Sequence, residues 1–255
     1  MNILRLGSKG EDVKTLQRLL KIDVDGIFGP QTEKSVKDFQ WGHGLEIDGI
    51  VGEKTWRALG MKYDSKRVDP SVIYAPLKSC ISKYPNRTIK YIAIHYTAGA
   101  SSAPGRAIHM KDSWEKTRRA SADFGVDDSA MVQFNPNPKE YYAWAVGDKK
   151  NPYSNGGRLY GIATNRNTIS IEICSNLKKG YDANKVNHEG WYYTEAALDN
   201  AVKLVKILMK KYDIDIDHVV RHYDISGKIC PGIIGWNDYK GNNSDEWKKF
   251  KERLK

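Results

Sequence analysis

Two histidines and a cysteine carry the chemistry that this sequence could perform. His95 ends an apolar run over residues 89–95 and precedes Tyr96-Thr97-Ala98-Gly99, the start of a loop. In open α/β sheets, functional groups sit where strands give way to loops. Taken alone, a histidine at a strand end is more often a structural hydrogen-bonding residue. His222 and Cys230 stand eight residues apart across a turn containing Ser226-Gly227, so both can point at one centre. Imidazole and thiolate are zinc ligands, and three protein ligands leave a fourth position for water. A Cys-His-His set has that open geometry, although the chain has six histidines and chance pairs occur. Glu172 lies in the alternating run 168–174, with Ile169, Ile171 and Ile173 on one face and Ser170, Glu172 and Cys174 on the other. The isoleucines define the buried side. Glu172 therefore faces solvent or a cleft, and a solvated strand glutamate is the plain expectation.

The elements that must position these residues are legible in the pattern. Residues 89–95 and 168–174 read as strands, and a further short strand surrounds Val219-Val220. Between the last two, Thr194 is suited to cap a helix whose one face holds Leu198, Ala201, Val202, Val205, Leu208, Met209 and Tyr212. Trp247, Phe250 and Leu254 at helical spacing predict a closing helix. Strands separated by helices imply an α/β domain over 71–255 whose sheet is covered by helices.

The first sixty residues follow a different grammar. Asp25-Gly26-Ile27-Phe28-Gly29-Pro30-Gln31-Thr32 recurs as Asp48-Gly49-Ile50-Val51-Gly52-Glu53-Lys54-Thr55, an offset of 23. The same offset relates Val13 to Val36, Leu16 to Phe39 and Gln17 to Gln40. Val13, Leu16, Leu19 and Leu20 mark one apolar helical face, and Val36 and Phe39 begin the next. Asp-Gly pairs supply the turns. A three-helix unit over 1–60 follows, with the polar, proline-closed stretch 61–70 as linker.

Composition bounds the function. The chain has 255 residues, enough for one large domain or two modest ones. No apolar run approaches the roughly 20 residues of a membrane span, so membrane insertion is not expected. The N-terminus has no apolar core of signal-peptide length, which predicts synthesis in the cytoplasm. Three cysteines are too few and too odd for a disulfide framework. The net charge of +10 falls wholly beyond residue 60, because residues 1–60 hold nine basic and nine acidic side chains. A neutral small unit argues against nucleic acid as its partner, and bacterial wall polymers offer the basic portion another polyanion.

The stretches IAIHYTAG, SADF, TISIEIC and RHYDISGKICPG, in that order, resemble the type 2 N-acetylmuramoyl-L-alanine amidases, a group that includes phage endolysins and bacterial autolysins. The pattern over 1–60, with D-G-x-F-G-P-x-T and V-x-x-F-Q, resembles the peptidoglycan-binding domain appended to many wall hydrolases. The resemblance implies a central mixed sheet flanked by helices, preceded by the small helical domain. It places zinc (Zn2+) ligands on His95, His222 and Cys230, and catalytic roles on Glu172 and Lys228. Bacterial peptidoglycan is the implied substrate, cut between N-acetylmuramic acid and L-alanine after release from the cytoplasm or outside the cell. Oligomeric state is not implied. Two departures stand out: Asp123 replaces a histidine found in many members, and Ala122 stands where some members carry a catalytic tyrosine. Three rivals remain: a cysteine peptidase of wall peptides with Cys230 as nucleophile, a non-catalytic wall receptor, and a muramidase, for which no pair of carboxylates stands out.

Overall fold

The computed structural model describes residues 3–60, 68–69, 71–98, 107–117, 119–147 and 149–255. The chain divides into two compact units, Met1–Ser65 and Lys66–Lys255. Most of the expected linker, together with Gly99, lies outside the described residues.

The smaller unit is built by the repeat. Helices α1 (Glu11–Leu20), α2 (Pro30–Gly42) and α3 (Glu53–Ala58) enclose Val13, Leu16, Phe28, Val36, Val51 and Trp56. Gln17 and Gln40 are both buried and do the same work one repeat apart. Gln17 donates to Asp25 (2.6 Å), the Ile27 carbonyl (3.0 Å) and Thr32 (3.2 Å), and accepts from the Gly26 amide at 2.8 Å. Gln40 repeats this with Asp48 (2.8 Å), Ile50 (2.9 Å), Thr55 (3.2 Å) and Gly49 (2.9 Å). The turn glycines sit at φ +74° and +71°, a region open to glycine at no steric cost. Two expected core positions differ. Leu19 is exposed, and Phe39 is half-buried and stacked on His43.

The larger unit is a mixed sheet covered by helices. Its strands are β1 (Ile73–Tyr74), β3 (Tyr91–Tyr96), β4 (Phe124–Val126), β5 (Met131–Gln133), β7 (Thr168–Ile173) and β10 (Val219–Arg221), in the order β1-β5-β4-β7-β3-β10. Only the β4–β5 pair is antiparallel. Two small antiparallel pairs, β2 (Ile81–Lys83) with β6 (Tyr141–Ala143) and β8 (Asn176–Leu177) with β9 (Trp191–Tyr192), flank it. Helix α4 (Met110–Thr117) precedes β4. Helix α5 (Glu195–Tyr212) starts at Thr194, whose hydroxyl accepts from the Ala197 amide at 3.2 Å. Its apolar stripe covers the isoleucine face of β7, together with Leu204, which the predicted stripe omits. The short α6 (His222–Ser226) follows β10, and α7 (Asp245–Glu252) closes the core with Trp247 and Phe250.

Strand β7 departs from the sequence expectation. Its isoleucine face is buried as predicted, but Ser170 and Cys174 on the opposite face are buried as well. Interior strands of parallel sheets are covered on both sides, so alternation here separates two interiors rather than core from solvent.

Candidate active site

The sheet brings the sequence-predicted residues to one edge. His95 is the penultimate residue of β3, and Glu172 is its register partner at the penultimate position of β7. Arg221, the last residue of β10, pairs with Ile94, so His222 emerges beside them. All three strands run parallel, and their carboxyl ends are where α/β sheets present functional groups.

The loop carrying the remaining residues is fixed by hydrogen bonds. Arg221 forks onto Asp224 at 2.9 and 2.7 Å and reaches the Trp236 carbonyl and the Ser244 hydroxyl, each at 2.8 Å. The Arg221 amide also donates to Asp224 at 2.9 Å, closing the start of α6. Gly227, at φ +76°, ends that helix after one turn. The chain then doubles back, and the Tyr223 amide donates to the Cys230 carbonyl at 2.9 Å. Cys230 is thereby returned to His222.

The result is a compact donor cluster. Potential ligand atoms of His95, His222 and Cys230 all lie within 4.8 Å of one another. Cys230 Sγ is 3.7 Å from His95 Nδ1, and the two imidazole centroids are 4.6 Å apart. All three side chains are buried. Tetrahedral zinc with nitrogen and sulfur ligands spaces its donors roughly 3.3–3.8 Å apart. The set fits such an ion with a small contraction, and its chemistry, two imidazoles and a thiol, is that of a zinc site.

Glu172 stands opposite. Its Oε1 is 4.0 Å from His95 Nδ1, and Oε2 is buried with no hydrogen-bond partner. The side chain retains 19% exposure, through a cavity of about 750 Å³. The expectation of a solvated glutamate is therefore overturned: loops cover this face of β7 and turn it into a cavity wall. Burial pushes the Glu172 carboxyl up to about 8, with Lys228 pulling it down. Lys228 is exposed on the cavity rim.

The cavity also has walls to which the sequence reading gave no role. Trp114, Trp144, Lys149, Asn151 and Val186 line it, from segments far apart in the chain. Trp144 is held by a 2.9 Å bond from its indole nitrogen to Ser82. Cys174 packs instead in an apolar cluster with Leu77, Val132 and Phe134. His218 lies in a short 3-10 helix, bonded to Asp215 at 2.7 Å. His43 and His109 are exposed.

Asp123 proves to be a structural residue. It is buried, accepts from the Ser170 amide at 2.8 Å and from Asn135, and faces Arg87 at 3.8 Å. Arg87, also buried, donates to the carbonyls of Arg166 (3.0 Å), Asn165 (3.1 Å), Thr168 (2.6 Å) and Tyr141. The departure at this position thus bears on strand packing. Ala122 is fully buried and brings no polar atom to the site.

The chain is similar to known proteins over both units. The amidase CwlA of Bacillus subtilis is 33% identical over 153 residues, 60% of this chain and 47% of CwlA. CwlH of the same species is 30% identical over 151 residues, 58% of this chain and 50% of CwlH. The chain thus spans about half the length of these curated relatives. The solved catalytic domain of XlyA superposes with a TM-score of 0.51 at 28% identity, covering 72% of this chain and 99% of that domain. A peptidoglycan-binding domain family matches residues 9–59. The N-acetylmuramoyl-L-alanine amidase family matches residues 85–233, a stretch that contains every residue of the donor cluster together with Glu172 and Lys228, and the chain belongs to that family.

Proposed function

We propose that the protein hydrolyses, with zinc, the amide bond between N-acetylmuramic acid and L-alanine in bacterial peptidoglycan. The observation that carries this reading is the pairing of a buried His-His-Cys cluster with a buried, unpartnered carboxylate oxygen across one cavity.

His95, His222 and Cys230 would hold the ion. Zinc held there would supply Lewis-acid chemistry and activation of a water molecule for attack on the amide. Glu172 takes the proton of the attacking water on its carboxylate and delivers it to the departing amide nitrogen. Lys228, on the rim beside Glu172, offsets the negative charge that develops on the carbonyl oxygen. Trp114 and Trp144 give the cavity apolar walls that limit water and orient the substrate.

The smaller unit is read as the wall anchor that raises local concentration at the polymer. The site of action is the cell wall, reached after release from the cell or from outside it, as for an endolysin or autolysin. No described helix is long and apolar enough to cross a membrane.

A cysteine-peptidase reading draws on the same 3.7 Å approach of Cys230 to His95. It gives His222 and Glu172 no task, and the zinc reading uses all four side chains. The test is digestion of purified sacculi followed by end-group determination. New N-terminal L-alanine with intact glycan strands supports the amidase; new amino termini within the stem peptides contradict it.

A further inference from the structure

Beyond the catalytic cavity, the larger unit carries a second one of about 450 Å³ that the reaction does not use. Its floor is apolar, made by Val146, Ala163 and Ile225. Its rim carries two tyrosines, the half-buried Tyr142 and the exposed Tyr160, together with Asn165 and Arg166.

The polar groups of this cavity are preorganised. Asn165 Oδ1 accepts from the amides of Ala145 (3.1 Å) and Val146 (2.8 Å), which fixes the orientation of its side-chain amide. Its Nδ2 is thereby turned toward Gly147, also part of the lining, as a donor. The carbonyls of Asn165 and Arg166 are held from below by the buried Arg87. The Arg166 guanidinium rests 5.1 Å from the Tyr84 ring centroid. Donors held this way lose little freedom when a ligand arrives.

We infer that this cavity is a saccharide subsite for an N-acetylated hexosamine of the glycan strand. The inference rests on the amidase reading for its choice of polymer. An acetamido group presents a carbonyl to Asn165 Nδ2 and a methyl group to the apolar floor. The aliphatic face of the pyranose ring lies on Tyr160, and Arg166 donates to ring hydroxyls. The volume lies within the range of small-molecule sites. Both cavities flank one segment: Trp144 and Ala145 line the catalytic one, and Tyr142, Val146 and Gly147 line the other. Six extended residues span at most about 20 Å, so one glycan strand can occupy both, with a stem-bearing sugar at Glu172 and a neighbouring sugar here.

The test is an amide NMR titration of the full chain with chitotriose, three linked N-acetylglucosamines. Perturbation of Gly147, Gly161 and Asn165 is expected, with binding about tenfold weaker in Tyr160→Ala and in Asn165→Asp, which keeps the acceptor and removes the donors. The same variants should raise KM on long glycan strands and leave turnover of a muramoyl-peptide lacking flanking sugars unchanged. Thermal midpoints check the folds, and Tyr160→Ala stands alone if Asn165→Asp unfolds. No perturbation at the cavity, perturbation confined to residues 1–60, or equal affinity in the variants overturns the subsite. Chitotriose binding in the cavity without muramoyl-peptide turnover would instead remove the amidase reading and leave the saccharide subsite standing.

Discussion

His95 and Glu172 are register partners on adjacent parallel strands, and their side chains approach to 4.0 Å at the carboxyl edge of the sheet. A metal-ligand candidate and a proton-transfer candidate are thus fixed relative to each other by backbone hydrogen bonds, not by a loop. Such placement keeps a catalytic pair within the fractions of an ångström that rate enhancement requires.

Glu172→Gln keeps the shape and removes the proposed base. Turnover on peptidoglycan is expected to fall by about 10²–10⁴-fold, with zinc content unchanged. Metal analysis and single-turnover digestion check this; full activity in the variant would take Glu172 out of the mechanism.

The raised pKa of Glu172 also makes a stability prediction for protein freed of metal. The folded state holds this proton up to about 8, whereas an unfolded glutamate releases it near its ordinary 4.5. The stability tied to the group is therefore fully present below the unfolded value and is lost as pH rises through the folded one. Glu172→Gln stays neutral throughout. Chelated wild type should lose ground to that variant between pH 4.5 and 8, by on the order of a few kcal/mol at most. Parallel melting curves with pH are the measurement, and a constant gap would refute the buried carboxyl.

Gly156 packs against α6, the helix that begins at His222. A Cβ at 156 would stand 2.3 Å from the Tyr223 carbonyl oxygen and 3.0 Å from Gly227 Cα. The segment around it straps α6, through Asn151 to Ser226 (2.8 Å), Gly157 to Tyr223 (2.9 Å) and Leu159 to Asp224 (3.0 Å). Gly156→Ala should cost about 1–3 kcal/mol of stability and weaken zinc binding about tenfold or more. Competition with a chromogenic chelator reads the second effect, and unaltered affinity would show that α6 absorbs the clash.

Asp123→Ala leaves the buried Arg87 without its carboxylate. The expected loss is about 3–5 kcal/mol, read as a lowered unfolding midpoint with zinc stoichiometry intact. Loss of metal at unchanged stability would place Asp123 in the site after all.

The sequence was most legible where local rules suffice. The 23-residue offset locates a pair of glutamines whose hydrogen-bond sets match partner for partner. Thr194 caps the predicted helix, whereas the joining of His95 to His222 and Cys230, which the structure shows as one cluster, was implied by the family resemblance and not by a local rule. What stayed hidden depends on packing between distant segments. Alternation assigns Glu172 a face but does not say what lies opposite that face, where the cavity is also lined by Trp114, Trp144 and Lys149 from distant segments. Nothing local in the sequence shows that the fold encloses Arg87 together with Asp123. Leu19 and Phe39 satisfy the apolar period, yet Leu19 is exposed and Phe39 only half-buried.

The central claim is that His95, His222 and Cys230 bind the zinc on which hydrolysis depends. The measurement is metal content paired with release of N-terminal L-alanine from purified peptidoglycan, before chelation, after it, and after zinc is returned. The account predicts about one zinc per chain, with activity lost on chelation and restored by zinc. Activity that survives metal removal and dies on thiol alkylation would contradict it and make Cys230 the nucleophile.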